Sequence, residues 1–354
     1  MTVTAKSPLT SDGLVGILFG AGAFQLLNAG CELGLFTLLA QRPGLSSARI
    51  MAELGLAERP VRILLLGTTA VGLTVRTDGR YRNSDLVDGL CQEGTWAIIE
   101  DLVEFQHRIT GPASVDFVAS LRENTNVGLS HIPGDQPDLY QRLAGHPELA
   151  RLFYRCMKSW SALANPILIK NADLAGVHSV LDVGGGDAVN SIALAKHNPD
   201  VRFTVLDLAG AVAIARDKIA EHGLADRIGV AEGDMFADPF PTGHDCLLFA
   251  NQLVIWSPED NRRLLRKAYE VLPNGGQVLI FNAMSDEAGD GPLYAALDNV
   301  YFATLPTSSS MIYDWAQYEE WLSEVGFAGI FRRPGDTWTP HGVIGAVKLP
   351  HAER

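Results

Sequence analysis

A glycine-rich turn between two apolar segments constrains this chain more than any other feature. Residues 180–187 read Val-Leu-Asp-Val-Gly-Gly-Gly-Asp, and residues 203–207 read Phe-Thr-Val-Leu-Asp. Short apolar runs bounded by glycine are typical of parallel strands covered on both faces. Gly184 and Gly186 carry no Cβ, so a ligand can approach the backbone closely there. The pattern predicts a strand, a turn that opens a helix, and a second strand, as in a doubly wound α/β sheet.

Acidic side chains around this turn indicate which kind of ligand it would bind. Asp182 lies in the first strand and Asp187 in the turn, while Asp207 ends the second strand. Nucleotide-binding folds place an acid at that last position to accept hydrogen bonds from ribose hydroxyls. A dinucleotide fingerprint needs another glycine after Gly186, which is absent, and the acids would repel a pyrophosphate. The pattern therefore favours a nucleoside cofactor with positive charge over NAD, which remains a remote alternative.

The turn resembles the D-x-G-x-G motif of class I S-adenosylmethionine-dependent methyltransferases, whose cofactor carries an ammonium, a sulfonium and a ribose. In that class an acid and a hydrophobic residue after the third strand contact the adenine. Residues 232–236 read Glu-Gly-Asp-Met-Phe and match this pattern. The resemblance implies cofactor contacts by Asp182, Gly184, Gly186, Asp207, Leu208, Asp234, Met235, Phe236 and Ala250.

The second half of the chain predicts alternating strands and helices. Residues 245–251 predict a strand that ends at the cofactor, residues 261–272 an amphipathic helix, and residues 277–281 another strand. This alternation indicates a doubly wound, Rossmann-like parallel sheet. Residues 342–348 fit the reversed hairpin at the sheet edge that is typical of this fold. The predicted fold class is α/β.

Composition limits the remaining possibilities. The 354 residues are 47% hydrophobic and 19% charged, as in a globular protein with room for two domains. The net charge of −13 argues against a nucleic-acid partner and against a basic membrane patch. We expect no secretory leader and no membrane span. Four scattered cysteines without a C-x-x-C pair favour buried thiols and a cytoplasmic location.

The first hundred residues predict a winged helix-turn-helix. Residues 13–39 have a helical period, residues 45–54 open with a serine cap, residues 61–71 predict a further helix, and Asp78 with Gly79 indicates a hairpin. Such a unit can bind DNA, and a ligand-sensing regulator is an alternative function. The second helix, however, carries one basic side chain among leucines, which favours burial or subunit contact.

Residues 13–348 resemble the plant-type O-methyltransferase family and its bacterial natural-product relatives. The resemblance implies a winged-helix dimerisation domain over residues 1–100, a helical linker contributing to the substrate pocket over 101–175, and an S-adenosylmethionine-binding domain over 176–354. It also implies a homodimer formed through the N-terminal domain. Residues 257–266 and 338–342 are similar to a smaller group that methylates carbon: arylpyruvate, tyrosine and hydroxykynurenine C-methyltransferases of peptide-antibiotic pathways.

Departures from the family pattern limit which methylation mechanisms this chain can use. The O-methylating members place a catalytic histidine after the fourth strand, where this chain has Val254 and Ile255. Neither aliphatic residue can take a proton. The arylpyruvate enzymes are thought to bind metal through two histidines, which align with Asn251 and Ala303, so we expect no metal. C-methylation of a tyrosine-like or arylpyruvate-like metabolite is favoured. O-methylation of a phenol without a histidine base, or another reaction such as hydroxylation, is the alternative.

Three side chains are candidates for catalysis. Asp298 lies in the apolar helix 293–302, Asn251 ends a strand, and His107 precedes Arg108 on an earlier helix. Each has a structural alternative: a helix-surface acid, a loop cap, or a solvated helix face. The family resemblance adds an aromatic wall for a planar acceptor. The residues predicted to contact this small aromatic substrate are Phe153, Met157, Trp160, Asn282, Phe302 and Arg108.

Overall fold

The computed structural model describes residues 8–337 and 339–350, so Trp338 of the segment 338–342 lies outside the described residues. The chain divides into two compact units, Met1–Arg108 and Ile109–Arg354. The segment 109–175 thus clusters with the sheet that follows it, whereas the sequence suggested a separate linker starting at residue 101.

The first unit is mainly helical with a small antiparallel sheet. The helical period at residues 13–39 is divided among three helices, and Gly34 breaks it with a left-handed backbone at φ 72°. In chain order the elements are α1 (Ser11–Leu18), α2 (Gly20–Glu32), α3 (Leu35–Gln41), β1 (Leu45–Ser46), α4 (Ser47–Leu54), α5 (Glu58–Ala70), β2 (Thr74–Thr77), β3 (Arg80–Asn83), α6 (Asp85–Gln92) and α7 (Trp96–Phe105).

The order α4, α5, β2, β3 is the one expected of a winged helix. The Ser46 hydroxyl accepts from the Arg49 N–H and caps α4, as the sequence predicted. Asp78 and Gly79 both have positive φ, which suits the tight hairpin between β2 and β3. Helix α5 buries one face in the unit's core and leaves Ile63 and Leu66 exposed on the other. The prediction that α5 is buried therefore holds for one face only.

The second unit contains helices packed on a seven-stranded sheet. A π-helical turn, Gln106–Thr110, crosses the unit boundary, and a 3-10 turn lies at Val127–His131. The remaining elements are α8 (Gly111–Ser114), α9 (Phe117–Glu123), α10 (Leu139–Ala144), α11 (Pro147–Asn171), β4 (Ser179–Val183), α12 (Val189–His197), β5 (Arg202–Asp207), α13 (Ala209–Glu221), β6 (Ile228–Glu232), β7 (Cys246–Ala250), α14 (Pro258–Val271), β8 (Gln277–Ala283), α15 (Leu293–Thr304), α16 (Trp315–Val325), β9 (Ala328–Pro334) and β10 (His341–Val347).

The strand order is β6-β5-β4-β7-β8-β10-β9, with β4 to β8 parallel. The late strand β10 is antiparallel to both β8 and β9. It therefore lies inside the sheet, and its partner β9 forms the edge of the predicted hairpin. Because β10 runs in the opposite direction, its first residue lies at the same edge as the carboxyl ends of the parallel strands.

Alternating side chains build a core on each face of the sheet. On β4, Val180 packs with α11, α12 and α13, whereas Leu181 and Val183 pack with α14 and α16 on the other face. Helices cover both faces, so the strands are apolar on both sides, as expected of a parallel sheet. This arrangement confirms the predicted doubly wound fold.

Within the described residues no single helix is long and apolar enough to cross a membrane. The bent pair α1 and α2, which meet at 63°, would satisfy that criterion of length and composition only when taken together.

Candidate functional site

The glycine turn after β4 brings backbone to the carboxyl edge of the sheet. Gly184 and Gly186 have left-handed backbones, with φ of 69° and 57°. A Cβ on Gly185 would lie 2.7 Å from the Asp182 carboxyl carbon. The turn is held by the Gly184 N–H, which donates to the Leu206 carbonyl over 2.8 Å. A Cβ would clash at Gly185 and its neighbour Gly184, whereas nothing lies within 4 Å of a Cβ built on Gly186, so the predicted glycine turn is present and its contact with a cofactor stays a prediction.

Asp207 links this turn to the end of β5. One carboxylate oxygen accepts from the Gly186 N–H at 2.8 Å, and the other accepts from the Leu208 N–H at 2.7 Å. Burial raises the pKa of Asp207, and these two backbone bonds oppose the rise. The side chain of Leu208 is exposed beside the turn. The structure thus brings Gly186, Asp207 and Leu208 together, as the sequence predicted.

Asp182 is completely buried beneath the glycine turn. Its Oδ2 atom accepts from the Ser191 hydroxyl at 2.7 Å, and its Oδ1 atom has no partner among the described residues. Burial raises the pKa of Asp182 to about 7, the Ser191 bond opposes the rise, and the charges of Asp207 and Asp187 add to it. A buried carboxylate with an unused oxygen is costly unless a cationic or donor group compensates it.

Several contacts at the turn were not predicted. Gln252 donates its side-chain amide to the Gly184 carbonyl at 2.7 Å. Asp187, which the sequence analysis took to favour a cationic ligand, forms an ion pair with Lys218 on α13. Tyr154 on α11 has a raised pKa because it is partly buried and because Asp207 and Asp187 add negative charge nearby. These partners are distant in sequence, so no local motif marks them.

The segment after β6 forms a compact turn at the same edge. Asp234 is exposed, and its Oδ1 accepts from the Phe236 N–H at 2.7 Å. Met235 and Phe236 are half-buried, and Phe236 packs edge-on against Trp256 with centroids 4.9 Å apart. A cleft of about 500 Å³ lies between the ends of β5 and β6, lined by Leu208, Gly233 and Asp234 among others. Asp234 lies at the border of this cleft, and its contact with an adenine stays a prediction.

The loop after β7 carries the positions where O-methylating relatives have their base. Val254 and Ile255 are both buried, with 4% and 8% of their surface exposed. Just before them, Ala250 ends β7 and Asn251 has a left-handed backbone at φ 57°. Left-handed backbone at a non-glycine residue is strained and is concentrated at functional sites. The loop therefore has no protonatable side chain at 254 or 255, and the catalytic role of Asn251 stays a prediction.

The structure gives Asn282 a different role from the one expected. Asn282 is fully buried in β8, and its amide donates to the Tyr318 hydroxyl at 2.9 Å. Its register partner is Gly342, where an added Cβ would meet Trp315, so this position faces α16. Because Asn282 and Phe281 alternate across the strand, Asn282 lies on the face opposite to α11. This placement does not support the predicted substrate contact.

Helices α11 and α15 form a wall rich in aromatic and acidic groups. Trp160 stacks on Tyr294 with ring centroids 5.2 Å apart. The Tyr294 hydroxyl donates to Asp298 Oδ2 at 2.9 Å, one helical turn away. The Asp298 side chain is partly buried and surrounded by protein. Desolvation raises its pKa to about 6, and the hydrogen bond from Tyr294 opposes this rise. At neutral pH this carboxylate is ionised and able to accept a proton.

The wall continues with two further tyrosines and the other predicted aromatics. The Tyr301 hydroxyl donates to Tyr140, and burial strongly raises the pKa of Tyr301. Phe153 is buried and packs edge-on against Tyr140 at 5.8 Å. Phe302 is nearly buried and Met157 half-buried. Tyr140, Tyr294 and Tyr301 were not predicted from the sequence. The spacing of Tyr294 and Asp298 in an apolar helix was a signal that could have found one of them.

His107 and Arg108 lie at the end of the first unit. Both are exposed, and Arg108 forms an ion pair with Glu104 at 3.0 Å. An exposed i,i+4 pair is the helix-surface arrangement that the sequence analysis named as the alternative. Their roles as base and substrate contact remain predictions.

Metal ligands do not converge in the part of the chain that the structure describes. No group of three or more histidine, cysteine, aspartate or glutamate side chains lies close enough together to hold an ion there. None of the cysteines Cys31, Cys91, Cys156 and Cys246 forms a disulfide bond. Independence from metal remains a prediction.

Comparisons with known proteins agree with this geometry. The model of the O-methyltransferase domain family matches residues 116–328. The L-tyrosine C(3)-methyltransferase of Streptomyces lavendulae is 52% identical over 349 residues, which are 98% of this chain and 95% of the relative. The 3-hydroxy-5-methyl-1-naphthoate 3-O-methyltransferase of Streptomyces sahachiroi is 33% identical over 339 residues, which are 95% of this chain and 94% of that protein.

A solved structure gives the same result. The S-adenosylmethionine-dependent methyltransferase SibL, in its apo form, is 51% identical to this chain and superimposes with a TM-score of 0.88. The match covers 96% of this chain and all of that one, 100%. The resemblance stated from the motifs and the predicted methyltransferase fold are therefore confirmed.

The residues present fit S-adenosylmethionine. The open backbone at Gly184 and Gly186, the unused oxygen of buried Asp182, and the carboxylate of Asp207 suit a ligand that carries a cationic group and a ribose. A pyrophosphate would meet the buried negative charge of Asp182 at the same turn. With the family match across most of the chain, these features identify the protein as a member of the O-methyltransferase domain family of S-adenosylmethionine-dependent methyltransferases.

Proposed function

We propose that this enzyme methylates the ring of a tyrosine-like phenol on the carbon next to the hydroxyl, in the biosynthesis of a secondary metabolite. The observation that carries the proposal is the Asp298–Tyr294 pair, an ionisable carboxylate in an aromatic wall. The near-full-length identity to a tyrosine C(3)-methyltransferase supports the choice of acceptor. An arylpyruvate is the less favoured acceptor, because the relative named for tyrosine is so similar.

Asp298 is the proposed base. Its carboxylate is ionised above a pKa of about 6, and Oδ2 is already held by the Tyr294 hydroxyl. A phenol that donates to Asp298 loses its proton to the carboxylate as charge moves into the ring. The carbon next to the hydroxyl would then be nucleophilic towards the methyl group, with S-adenosylhomocysteine as the leaving group. As aromaticity returns, the proton on that carbon passes to water and protonated Asp298 returns its proton to the phenolic oxygen. General-base assistance of this kind typically contributes about 100-fold or more to the rate.

The cofactor is proposed to be held by Asp182, Gly184, Gly186, Asp207 and Asp234, with Leu208, Met235, Phe236 and Ala250 beside them. When bound, S-adenosylmethionine supplies an electrophilic methyl group. The buried carboxylate of Asp182 favours a cationic ligand, since a positive charge relieves its desolvation. Trp160, Met157 and Phe153 orient a planar acceptor and exclude water, and Asn251 is the proposed hydrogen-bond partner at the end of β7. Alignment of the two reactants alone can supply about 7–11 kcal/mol.

The test is a mass-spectrometric assay with methyl-labelled S-adenosylmethionine and chelator-treated protein. L-Tyrosine, 3-hydroxykynurenine, phenylpyruvate and a simple catechol are supplied separately, and each product is examined by NMR. We expect a ring-methylated tyrosine or hydroxykynurenine without added metal. Turnover of phenylpyruvate alone, and only after metal is restored, would contradict both the acceptor class and the metal-free mechanism.

O-Methylation is the second candidate, because a relative 33% identical over most of the chain is named as a 3-O-methyltransferase. The same NMR spectra distinguish the two, since a methoxy signal and an aryl-methyl signal differ clearly. A methoxy product would mean that Asp298 or another group holds the phenolate oxygen, rather than the ring carbon, in line with the transferred methyl group.

A homodimer formed through the first unit is also proposed. Helices α1 and α2 and their junction expose a run of large apolar side chains, among them Ile17, Leu18 and Phe19, each about two-thirds or more exposed. Contiguous exposed apolar surface of this kind is typical of protein interfaces. Light scattering should give twice the chain mass, and Ile17→Asp with Phe19→Asp should shift the protein to monomer. The exposed Asp12→Asn variant of the same helix should remain dimeric.

A further inference from the structure

His341 is a buried histidine at the functional edge of the sheet, and the proposed reaction does not use it. It is the first residue of β10, only 2% of its surface is exposed, and it pairs in register with Ala283 on β8. Because β10 is antiparallel, this first residue lies at the edge where the parallel strands end. The imidazole therefore lies at the same edge as the glycine turn and the loop after β7.

The ring contacts of His341 connect it to the acceptor wall. Its centroid lies 6.1 Å from that of Trp160 and 5.2 Å from that of Phe281. Trp160 in turn stacks on Tyr294, whose hydroxyl donates to Asp298. His341, Trp160, Tyr294 and Asp298 thus form one continuous set of contacts. The pairing of β10 with β8 places His341 in this position.

The hydrogen bonding of His341 is incomplete. Its Nδ1 atom is buried and lacks a partner among the described residues. Burial lowers the pKa of the imidazole to about 4, so the ring is neutral at physiological pH. A neutral imidazole offers one N–H donor and one acceptor nitrogen. A buried polar atom without a partner destabilises a fold, so a hydrogen-bond partner that arrives with the acceptor would stabilise this position.

We propose that Nδ1 of His341 hydrogen-bonds a polar group of the aromatic acceptor, its phenol or its α-amino group, and thereby contributes to acceptor specificity. The proposal rests on the proposed function, because it takes a tyrosine-like molecule as the acceptor. If His341 only filled space between Trp160 and Phe281, a phenylalanine would serve equally well and would remove the unsatisfied nitrogen.

The test compares His341→Phe with His341→Asn by calorimetric titration of L-tyrosine in the presence of S-adenosylhomocysteine. Phenylalanine keeps the ring packing but cannot hydrogen-bond, whereas the asparagine amide places a polar atom near the position of Nδ1. We expect the phenylalanine variant to bind L-tyrosine about 10-fold more weakly and the asparagine variant to recover most of that loss. Affinity for S-adenosylhomocysteine should not fall in either variant, and the melting temperature should not fall in His341→Phe.

Two analogues show which group the imidazole contacts. If the contact is to the amino group, 3-(4-hydroxyphenyl)propionate should bind equally to wild type and to His341→Phe. If it is to the phenol, L-phenylalanine should show that equality instead. Wild-type protein labelled with ¹⁵N-histidine gives a check that needs no variant, since the Nδ1 signal of His341 should move when L-tyrosine is added.

Unchanged L-tyrosine affinity in His341→Phe, or an unmoved Nδ1 signal at saturating L-tyrosine, would overturn the proposal. The proposed function fails separately if wild type binds L-tyrosine but transfers no methyl group to it, and the His341 comparison remains decisive in that case. Absence of L-tyrosine binding by the wild type would overturn both.

Discussion

The cofactor side and the acceptor wall of this site are built in different ways. At the glycine turn, backbone N–H groups, positive φ angles and two acids within one β-α-β unit define the geometry. At the acceptor wall, side chains from α11, α15, β8 and β10 meet through ring stacking and single hydrogen bonds. The backbone geometry of the glycine turn tolerates few substitutions, whereas single side chains of the acceptor wall can be replaced without changing the backbone. This difference explains how related enzymes can share a cofactor and differ in acceptor.

The largest effect is expected at Asp207. Asp207→Ala removes an acceptor for ribose hydroxyls and also releases the N–H groups of Gly186 and Leu208. Loss of charged hydrogen bonds should weaken S-adenosylmethionine binding about 100-fold or more, as measured by calorimetry. Asp217→Ala, on the exposed face of α13, is the control and should bind normally. Near-normal affinity in the Asp207 variant would remove this residue from the cofactor site.

Asp298→Asn tests the acceptor wall and should leave the cofactor side intact. Because the pKa of Asp298 is about 6, wild-type kcat should fall as the pH drops below 6 and the carboxylate becomes protonated. The asparagine variant should lose about 100-fold in kcat, and its kcat should no longer fall at acidic pH, with unchanged affinity for S-adenosylmethionine. Tyr294→Phe is a matched variant in which the fall in kcat should begin at a higher pH, because the hydrogen bond from Tyr294 lowers the pKa of Asp298. An Asp298→Asn variant whose kcat still falls at acidic pH would show that another group is the base.

Asp182→Asn separates stability from binding on the cofactor side. The folded pKa of Asp182 is raised from 3.8 to about 7, so its contribution to stability is present below pH 3.8 and is lost as the pH rises through 7. The variant should therefore be more stable than wild type at pH 8, by up to about 4 kcal/mol, and the difference should shrink towards pH 4. Its cofactor affinity should fall. Ser191→Ala is a comparison variant with the opposite expectation. It removes the hydrogen bond to Asp182 and should further destabilise the protein when Asp182 is ionised. Equal melting temperatures of Asp182→Asn and wild type at every pH would contradict this account.

Val254→His is expected to have the smallest effect on the product. The substitution restores the residue of the O-methylating relatives at a position that is 4% exposed. Burial of an imidazole should lower stability by about 1–3 kcal/mol. Product NMR should still show methylated carbon, because Asp298 and the wall orient the acceptor. A methoxy product would reveal that the acceptor hydroxyl already lies at the old base position, and Val254→Ile controls for the change in volume.

The two sides also differ in how far the sequence predicted them. The turn at residues 184–186 and the acid at 207 lie in one local pattern, so the strand, the turn and the acid that contacts the turn could all be predicted from it. The wall depends on which face of β8 meets α11 and on the register in which β10 pairs with β8. Asn282 and His341 show the consequence. The sequence assigned Asn282 to the substrate and did not single out His341, whereas the structure directs Asn282 towards Tyr318 and places His341 against Trp160.

The winged-helix pattern shows the same limit. Capping serines and the Asp78-Gly79 turn predicted α4 and the hairpin, because caps and turns act within a few residues. The outward face of α5 could not be foreseen, since apolar residues on both faces of a helix do not reveal which face a neighbour covers.

The insertion of β10 between β8 and β9 has a consequence for folding. Of the seven strands in this sheet, β10 comes last in the chain, and β9 contacts the sheet only through it. During synthesis one edge of β8 therefore stays unpaired until β10 is made. Strand β9 cannot pair with the sheet until residues 341–347 have left the ribosome. His341 arrives with this final strand. The acceptor pocket thus cannot be complete before β10 has paired with β8, whereas the partners of the cofactor turn described above all precede β10 in the chain.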